Sequence, residues 1–362
     1  MKTPLFRRTL HTLELGIRRS FLFALSLRKK RGQAQTVTLA PNATILFLRQ
    51  DRIGDAIVTT PLLVALQHRY PDAHIMMLLG SNNQAIRDML PVECETFIFT
   101  KNVVKDRKLI RQLRSRKIDV LIDLTDNASV TSSILISSIQ AKTSIGIEKE
   151  NGVVYDILVP RLDREETHIS RRIAELLRPL GIDPDTIDLR PRLRLPESIK
   201  IKGRVGINIS AGGDSRYAPV ETYSAIASSI LHMSGISEVA ILCQPSDGAI
   251  ADAIVASAAD DRISKLPPSA SYKEFAGWLA TCEYLITPDT SVVHLGAAVG
   301  IPMVVIYAPI PEGLHYWTPT GVTFEMMIQM PTLETLEPEP VVRLFQALLA
   351  KTKTYPEINH AD

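Results

Sequence analysis

Three short segments of this sequence carry residue types and spacings that could do chemistry. The first is Arg49-Gln-Asp-Arg-Ile-Gly-Asp55. A carboxylate at the start of a helix can act as a general base, or it can simply cap that helix. Gly54 would let the backbone turn tightly into the helix. Arg49, Arg52 and Gly54 are candidate cleft residues beside the candidate catalytic Asp55. The second segment is Ile286-Thr-Pro-Asp-Thr-Ser-Val-Val-His294. Asp289, Thr290 and Ser291 open a helix there, and hydroxyls with free amides at a helix N-terminus suit a phosphate. A plain cap, with His294 packed one turn further in, fits the same spacing. The third segment is Ser210-Ala-Gly-Gly-Asp-Ser-Arg-Tyr-Ala-Pro219. Gly212 and Gly213 allow close approach to a ligand, and Arg216 adds a permanent positive charge. An ordinary βα loop would look similar.

These segments need elements to hold them. From Thr44 the chain alternates β-rich runs with helical stretches. Expected strands are 44–48, 74–79, 96–99, 118–124 and 153–159, with helices over 55–69 and 105–116. A proline-bearing stretch, 181–202, reads as a connection. The alternation then restarts, with strands expected over 204–209, 238–243, 284–287 and 303–307. Helices are expected over 220–233, 272–280 and 291–299, and a last one over 333–350. Such alternation builds parallel sheets covered on both faces by helices. The expected architecture is α/β, with two Rossmann-like doubly wound domains facing a central cleft. Its parts are a basic amphipathic helical arm (1–39), a first domain (40–185), a linker (186–200), a second domain (201–332), and a C-terminal helix and tail (333–362). All three chemical segments follow the carboxyl ends of expected strands, the side on which such sheets bind ligands.

Composition narrows the function classes. The 362 residues, 45% hydrophobic and 22% charged, exclude a mainly disordered chain, a collagen and a coiled coil. At about 150 residues per domain, two domains fit. Cys94, Cys243 and Cys282 are far apart, which excludes a disulfide framework and argues against structural zinc. Asp183-Pro-Asp185, the one D-x-D string, lies in the expected connection and reads as a turn, so no metal site is expected. No apolar run reaches the ~18 residues of a membrane span. Residues 1–35 hold nine Lys/Arg and one acid, Glu14, whereas the rest of the chain holds 32 basic and 38 acidic side chains. A body of that balance is not expected to bind nucleic acid. Phe6, Leu10, Leu13, Ile17, Phe21 and Ala24 recur every three or four residues. The arm thus reads as an amphipathic helix on an anionic membrane surface, with a helix packed on the body as the alternative.

Four segments together resemble family 9 glycosyltransferases, the bacterial lipopolysaccharide heptosyltransferase family. They are Ile45–Pro61, Tyr70-Pro-Asp-Ala-His-Ile75, Arg216-Tyr-Ala-Pro-Val-Glu-Thr-Tyr223 and Pro288–Pro302. The likeness spans roughly residues 42–330 and leaves out the arm. It implies a GT-B fold with the acceptor on the N-terminal domain and the sugar nucleotide on the C-terminal one. It implies an inverting transfer from ADP-L-glycero-D-manno-heptose to a lipopolysaccharide core acceptor, without a metal or other cofactor. By the same resemblance Asp55 matches the proposed base. Asp289, Thr290 and Ser291 match the donor-contacting segment, His294 a histidine of that segment, and Arg216 a phosphate-binding lysine. The implied setting is cytoplasmic, at the inner face of the inner membrane, with a lipid-linked saccharide as partner. The sequence departs from the family pattern at Ser291 (usually glycine), Ala308-Pro-Ile310 (usually G-P-T), Ala218 (usually tryptophan) and Arg216. Competing readings are a relative that uses another sugar nucleotide or a protein acceptor, and a non-catalytic sugar-nucleotide-binding module of an envelope assembly complex.

Overall fold

The computed structural model describes residues 36–210, 217–309 and 314–354. The expectations for residues 1–35, Gly212, Gly213, Arg216 and Ile310 therefore lie outside the described residues.

The first sheet has strands β1 (Thr44–Arg49), β2 (His74–Gly80), β3 (Glu95–Phe99), β4 (Val120–Asp123), β5 (Thr143–Ile147) and β6 (Ile157–Val159). Their order is β3-β2-β1-β4-β5-β6, parallel throughout. The second sheet has β7 (Arg204–Asn208), β8 (Glu238–Leu242), β9 (Ile263–Lys265), β10 (Tyr284–Pro288), β11 (Met303–Tyr307) and β12 (Phe324–Ile328). Its order, β12-β11-β10-β7-β8-β9, is the same winding again and also parallel. Parallel strands are buried on both faces, so they read as continuous apolar runs rather than alternating ones. Ile45–Leu48 and Met303–Ile306 are wholly buried for that reason.

Among the described residues the helices are α1 (Ile53–Arg69), α2 (Val103–Ser115), α3 (Val130–Ile139), α4 (Ile169–Ala174), α5 (Val220–Leu231), α6 (Gly248–Ala258), α7 (Tyr272–Ala280), α8 (Ser291–Val299) and α9 (Pro338–Thr354). The structure adds β5, β9, β12, α3, α4 and α6, which the sequence reading did not delimit. It also splits the expected strand 153–159 into a 3-10 turn, Gly152–Val154, and the short β6. The expected C-terminal helix starts later than 333. Leu333–Thr335 forms a separate 3-10 turn, and Pro338 opens α9, the position where a missing N–H costs nothing.

Helix α1 packs across the domain boundary onto α8, and Leu62 and Leu66 share a buried cluster with Val292 and Leu295. Pro61 lies inside α1 and has no N–H for the Ile57 carbonyl. The Thr60 hydroxyl donates to that carbonyl instead, at 2.7 Å, and accepts the backbone N–H of Arg192 at 2.9 Å. The connection between the domains is thus tied to the helix that carries Asp55. At the other boundary Val37 donates to the Pro179 carbonyl at 2.7 Å, so the chain is already docked on the first domain there.

Candidate active site

In doubly wound sheets the order reverses beside the first strand, and the crevice there receives ligands. Here the reversals fall between β1 and β4 and between β7 and β10. Asp55 follows β1, Ser210 follows β7 and Thr290 follows β10, so all three predicted segments lie at reversal points.

On the first domain, β1 ends in Arg49, whose side chain is 2% exposed. Its Nε donates to the Thr59 hydroxyl at 3.0 Å, and Thr59 in turn donates to the Asp55 carbonyl at 2.8 Å. Arg49 Nη1 lies 3.3 Å from Asp51 and 3.8 Å from Asp55, while its buried Nη2 has no hydrogen-bond partner. Asn83 accepts the Gly80 N–H and donates to the Arg49 carbonyl, both at 2.8 Å, which fixes the strand end. The exposed Arg52 is the N-cap residue of α1, and its backbone N–H donates to Asp55 Oδ2 at 3.2 Å. Asp55 is therefore a half-buried member of a capping box, next to Gly54, which meets the second domain. Burial raises its pKa above the ordinary carboxylate value. Arg49 opposes that shift, and the neighbouring Asp51 charge adds to it.

Gly54 plays a different part from the expected tight turn. It sits inside α1, outside the left-handed region, and is buried. A methyl added there would lie 3.2 Å from His294 Cδ2 and 3.5 Å from Ser291 Cα. Its missing side chain lets the start of α1 meet the start of α8. The candidate base is thereby set beside the helix N-terminus proposed for phosphate.

On the second domain, Thr290 is the N-cap of α8 and its hydroxyl accepts the Val292 N–H at 3.2 Å. Asn208, at the end of β7, donates to Thr287 at 3.0 Å and to Thr290 at 3.5 Å. Tyr272 donates to the Ser291 hydroxyl at 3.4 Å. Asp289 and Ser291 are half-buried at the same helix start. His294 is buried against Gly54 and Trp317. Desolvation, and then nearby His168, lowers its pKa to about 3, so it carries no charge for a phosphate and its packing alternative is the one the geometry favours.

Two features had no sequence signal. Asp247 Oδ2 accepts from Ser210 at 2.6 Å and from Tyr217 at 3.0 Å, so one carboxylate holds both ends of the glycine-bearing segment 211–216. Burial alone would raise its pKa, but hydrogen bonds from Ser210, Gln244, Tyr217 and Ser246 outweigh that and lower it. The second feature joins the domains. Asp126 accepts from buried Arg172 at 2.6 Å and from Arg164 and Tyr316 at 2.7 Å each. Nearby, His168 Nδ1 accepts the Ser170 N–H at 3.1 Å, which leaves Nε2–H to donate to the Thr318 carbonyl at 2.8 Å. Burial lowers the pKa of His168 to about 4, in keeping with that neutral tautomer. Spacing cannot reveal these contacts, because their partners lie up to 190 positions apart. Among the described residues no cluster of three or more His, Cys, Asp or Glu could hold a metal ion. Asp183 and Asp185 serve a 3-10 turn and an Arg171 ion pair at 2.6 Å.

The pattern of Glycosyltransferase family 9 (heptosyltransferase) matches residues 106–334. Lipopolysaccharide heptosyltransferase 3 of Escherichia coli K12 is 25% identical over 291 residues, covering 74% of this chain and 82% of that protein. A glycosyltransferase family 9 structure from Veillonella parvula superposes with a TM-score of 0.71 at 18% identity, over 88% of this chain and 99% of that one. The E. coli heptosyltransferase WaaC, solved with ADP and with ADP-2-deoxy-2-fluoro heptose, gives TM-scores of 0.71 and 0.69 at 17% identity, over 84% of this chain and 99% of that one. At such identities the structural likeness shows a shared fold.

Proposed function

The chain belongs to glycosyltransferase family 9, and from that premise we propose that it is an inverting heptosyltransferase of lipopolysaccharide core assembly, with ADP-L-glycero-D-manno-heptose as donor. The observation that carries this is the meeting of Gly54 with Ser291, which brings the start of the helix bearing the desolvated Asp55 carboxylate against the start of α8.

In the proposed reaction Asp55 takes the proton of the acceptor hydroxyl. That oxygen attacks the anomeric carbon from the face opposite the nucleotide, and the bond from anomeric carbon to phosphate oxygen breaks. ADP leaves with the electron pair. Its charge is met by the amides at the start of α8, by the hydroxyls of Thr290 and Ser291, and by Arg216. No step requires a metal. Arg49 and Thr59 hold the backbone and carboxylate of Asp55 in place. The related proteins named for heptosyl transfer, and WaaC with its ADP ligands, support the donor assignment. The acceptor is proposed to be lipid-linked. The basic arm, residues 1–35, would keep the enzyme at the anionic inner face of the inner membrane. No described helix is long and apolar enough to cross a membrane.

The test is ADP release from ADP-heptose with and without a lipopolysaccharide core acceptor, alongside thermal shift against UDP-, GDP- and dTDP-sugars. Acceptor-dependent release with ADP-heptose alone supports the reading. Preference for another nucleotide sugar, or donor binding without turnover, overturns it.

A further inference from the structure

Outside the cleft, the strongest unexplained surface is on the outer face of the first domain. Residues 101–117 hold eight Lys/Arg and a single acid, Asp106. That acid is buried and accepts from the Thr100 N–H and hydroxyl at 3.1 and 3.2 Å, so it offers the surface no charge. Among the described residues Arg116 alone of the eight has a carboxylate partner, Glu95. Helix α2 turns Leu109, Ile110 and Leu113 to the sheet. Val104, Lys108 and Arg111, spaced four and three apart, form the opposite stripe, flanked by Arg107 and Arg114. All five are exposed.

This surface is also apolar at one end. Val103 and Val104 are 67% and 77% exposed. Val130 and Ile134, in the first turns of the neighbouring α3, are 39% and 44% exposed. The two helices touch and cover the same sheet face. In a parallel sheet the helix N-terminal ends lie at the carboxyl edge of the strands, so these four aliphatic side chains sit along the edge that also carries Asp55. The strand before α2, β3, is two strands from β1. That places it about 10 Å away at ordinary strand spacing.

From this juxtaposition we infer that the α2–α3 face of the first domain docks on an anionic lipid surface. The cations of α2 lie against headgroups, and Val103, Val104, Val130 and Ile134 enter the boundary between headgroup and acyl chain. Aliphatic side chains gain nothing from a nucleic-acid backbone, whereas a lipid interface rewards both halves of the patch. The contact is distinct from the basic arm, and it needs neither the donor nor the acceptor proposed above. If that reading holds as well, the contact sets the mouth of the cleft on the membrane.

The experiment is co-sedimentation of the full chain with vesicles of phosphatidylglycerol and phosphatidylcholine in equal parts, and with phosphatidylcholine alone. The variants keep the arm and are checked for an unchanged melting temperature. Each cation near an anionic surface contributes about fivefold in partition. Arg107→Glu/Lys108→Glu/Arg111→Glu is therefore expected to weaken binding to the mixed vesicles by at least tenfold at low salt. Val103→Asp/Val104→Asp is expected to weaken it several-fold. Should the charge reversals lower the melting temperature, Arg107→Ala/Lys108→Ala/Arg111→Ala replaces them, with the same direction expected. Partition equal to wild type in both the charge and the valine variants overturns the inference, because the arm then accounts for all binding. So does binding to a mixed-sequence DNA duplex that is lost in the charge variants while vesicle binding is not.

Discussion

The two sheets share one strand order but their domains handle charge differently. The first domain buries Arg49, Asp123, Asp126 and Arg172, and the Lys149 side chain is only 1% exposed beside Asp123. Among the described residues the second domain buries a single carboxylate, Asp247, and carries the neutral Asn208 and Thr287 near the carboxyl ends of its central strands. Buried charges are costly unless paired, so the first domain gives up stability to hold ionic geometry. The difference teaches what each side must supply. A base needs a carboxylate at a fixed place and protonation state, which other charges must enforce. A diphosphate brings its own charge and needs amides, hydroxyls and one cation to meet it.

The comparison breaks most visibly at Asp55. Asp55→Ala is expected to cut transfer by about 10²–10⁴-fold. Donor affinity, measured by calorimetry with ADP, is expected to stay within a few-fold, because the proposed role of the residue is on the acceptor side. Transfer kept within tenfold would reduce Asp55 to the helix cap it also is.

On the other side the expected loss is in binding. Asp247→Ala frees Ser210 and Tyr217 together. A hydrogen bond to a charged group is worth about 1.5–3 kcal/mol, so the ADP dissociation constant should rise by roughly ten- to a hundredfold, with little change in turnover at saturating donor. Arg216→Ala should weaken ADP binding in the same direction, and Arg216→Lys should restore part of it, since a point charge suits a phosphate. Loss of turnover without loss of affinity in these variants would contradict the division of labour.

A smaller effect sharpens the electrostatics of the base. Burial raises the Asp55 pKa above 3.8, and Asp51 adds to the shift. In the proposed reaction Asp55 works as the ionised base, so transfer should fall as pH drops through that raised value. Asp51→Asn removes a negative neighbour and should move the acid limb to lower pH, with activity at neutral pH within about threefold. A limb that stays in place would separate Asp51 from the base.

Much of this was legible in the sequence because parallel sheets write themselves as apolar runs. The bounds of α7, α8 and β11 agree with the pattern to the residue. Asp55, Thr290 and Ser291 were visible because they follow such runs directly. The missed elements had weak patterns. Helix α3 is VTSSILISSI, rich in β-branched residues and serine, and is held by the Ser129 cap and by packing. Strand β5 is short and contains Gly146, where an added methyl would lie 2.5 Å from the Tyr155 ring. Asp247, Asp126 and His168 were invisible because their meaning lies in partners brought together only by the fold. Gly54 was recognised as special, but for a turn. Its actual reason is the approach of another helix.

That approach is the subject of the smallest expected effect. Gly54→Ala places a methyl inside α1, where alanine gains up to about 1 kcal/mol over glycine in helix propensity. The same methyl would lie 3.2 Å from His294 Cδ2, tighter than ordinary contact, and the imidazole is buried and can yield only by pushing on Trp317 or on α8. The two effects oppose each other and are of similar size, so the melting temperature should hardly change. Transfer should fall several-fold, because the strain is relieved by moving the start of α8 away from Asp55. In a His294→Ala background the clash is gone and the propensity gain remains, so Gly54→Ala should then stabilise the protein by about 1 kcal/mol. A double-mutant cycle in chemical denaturation measures the difference. Additive effects would mean that the helices do not press on each other at Gly54, and that the α1–α8 packing rests on Leu62, Leu66, Val292 and Leu295 instead.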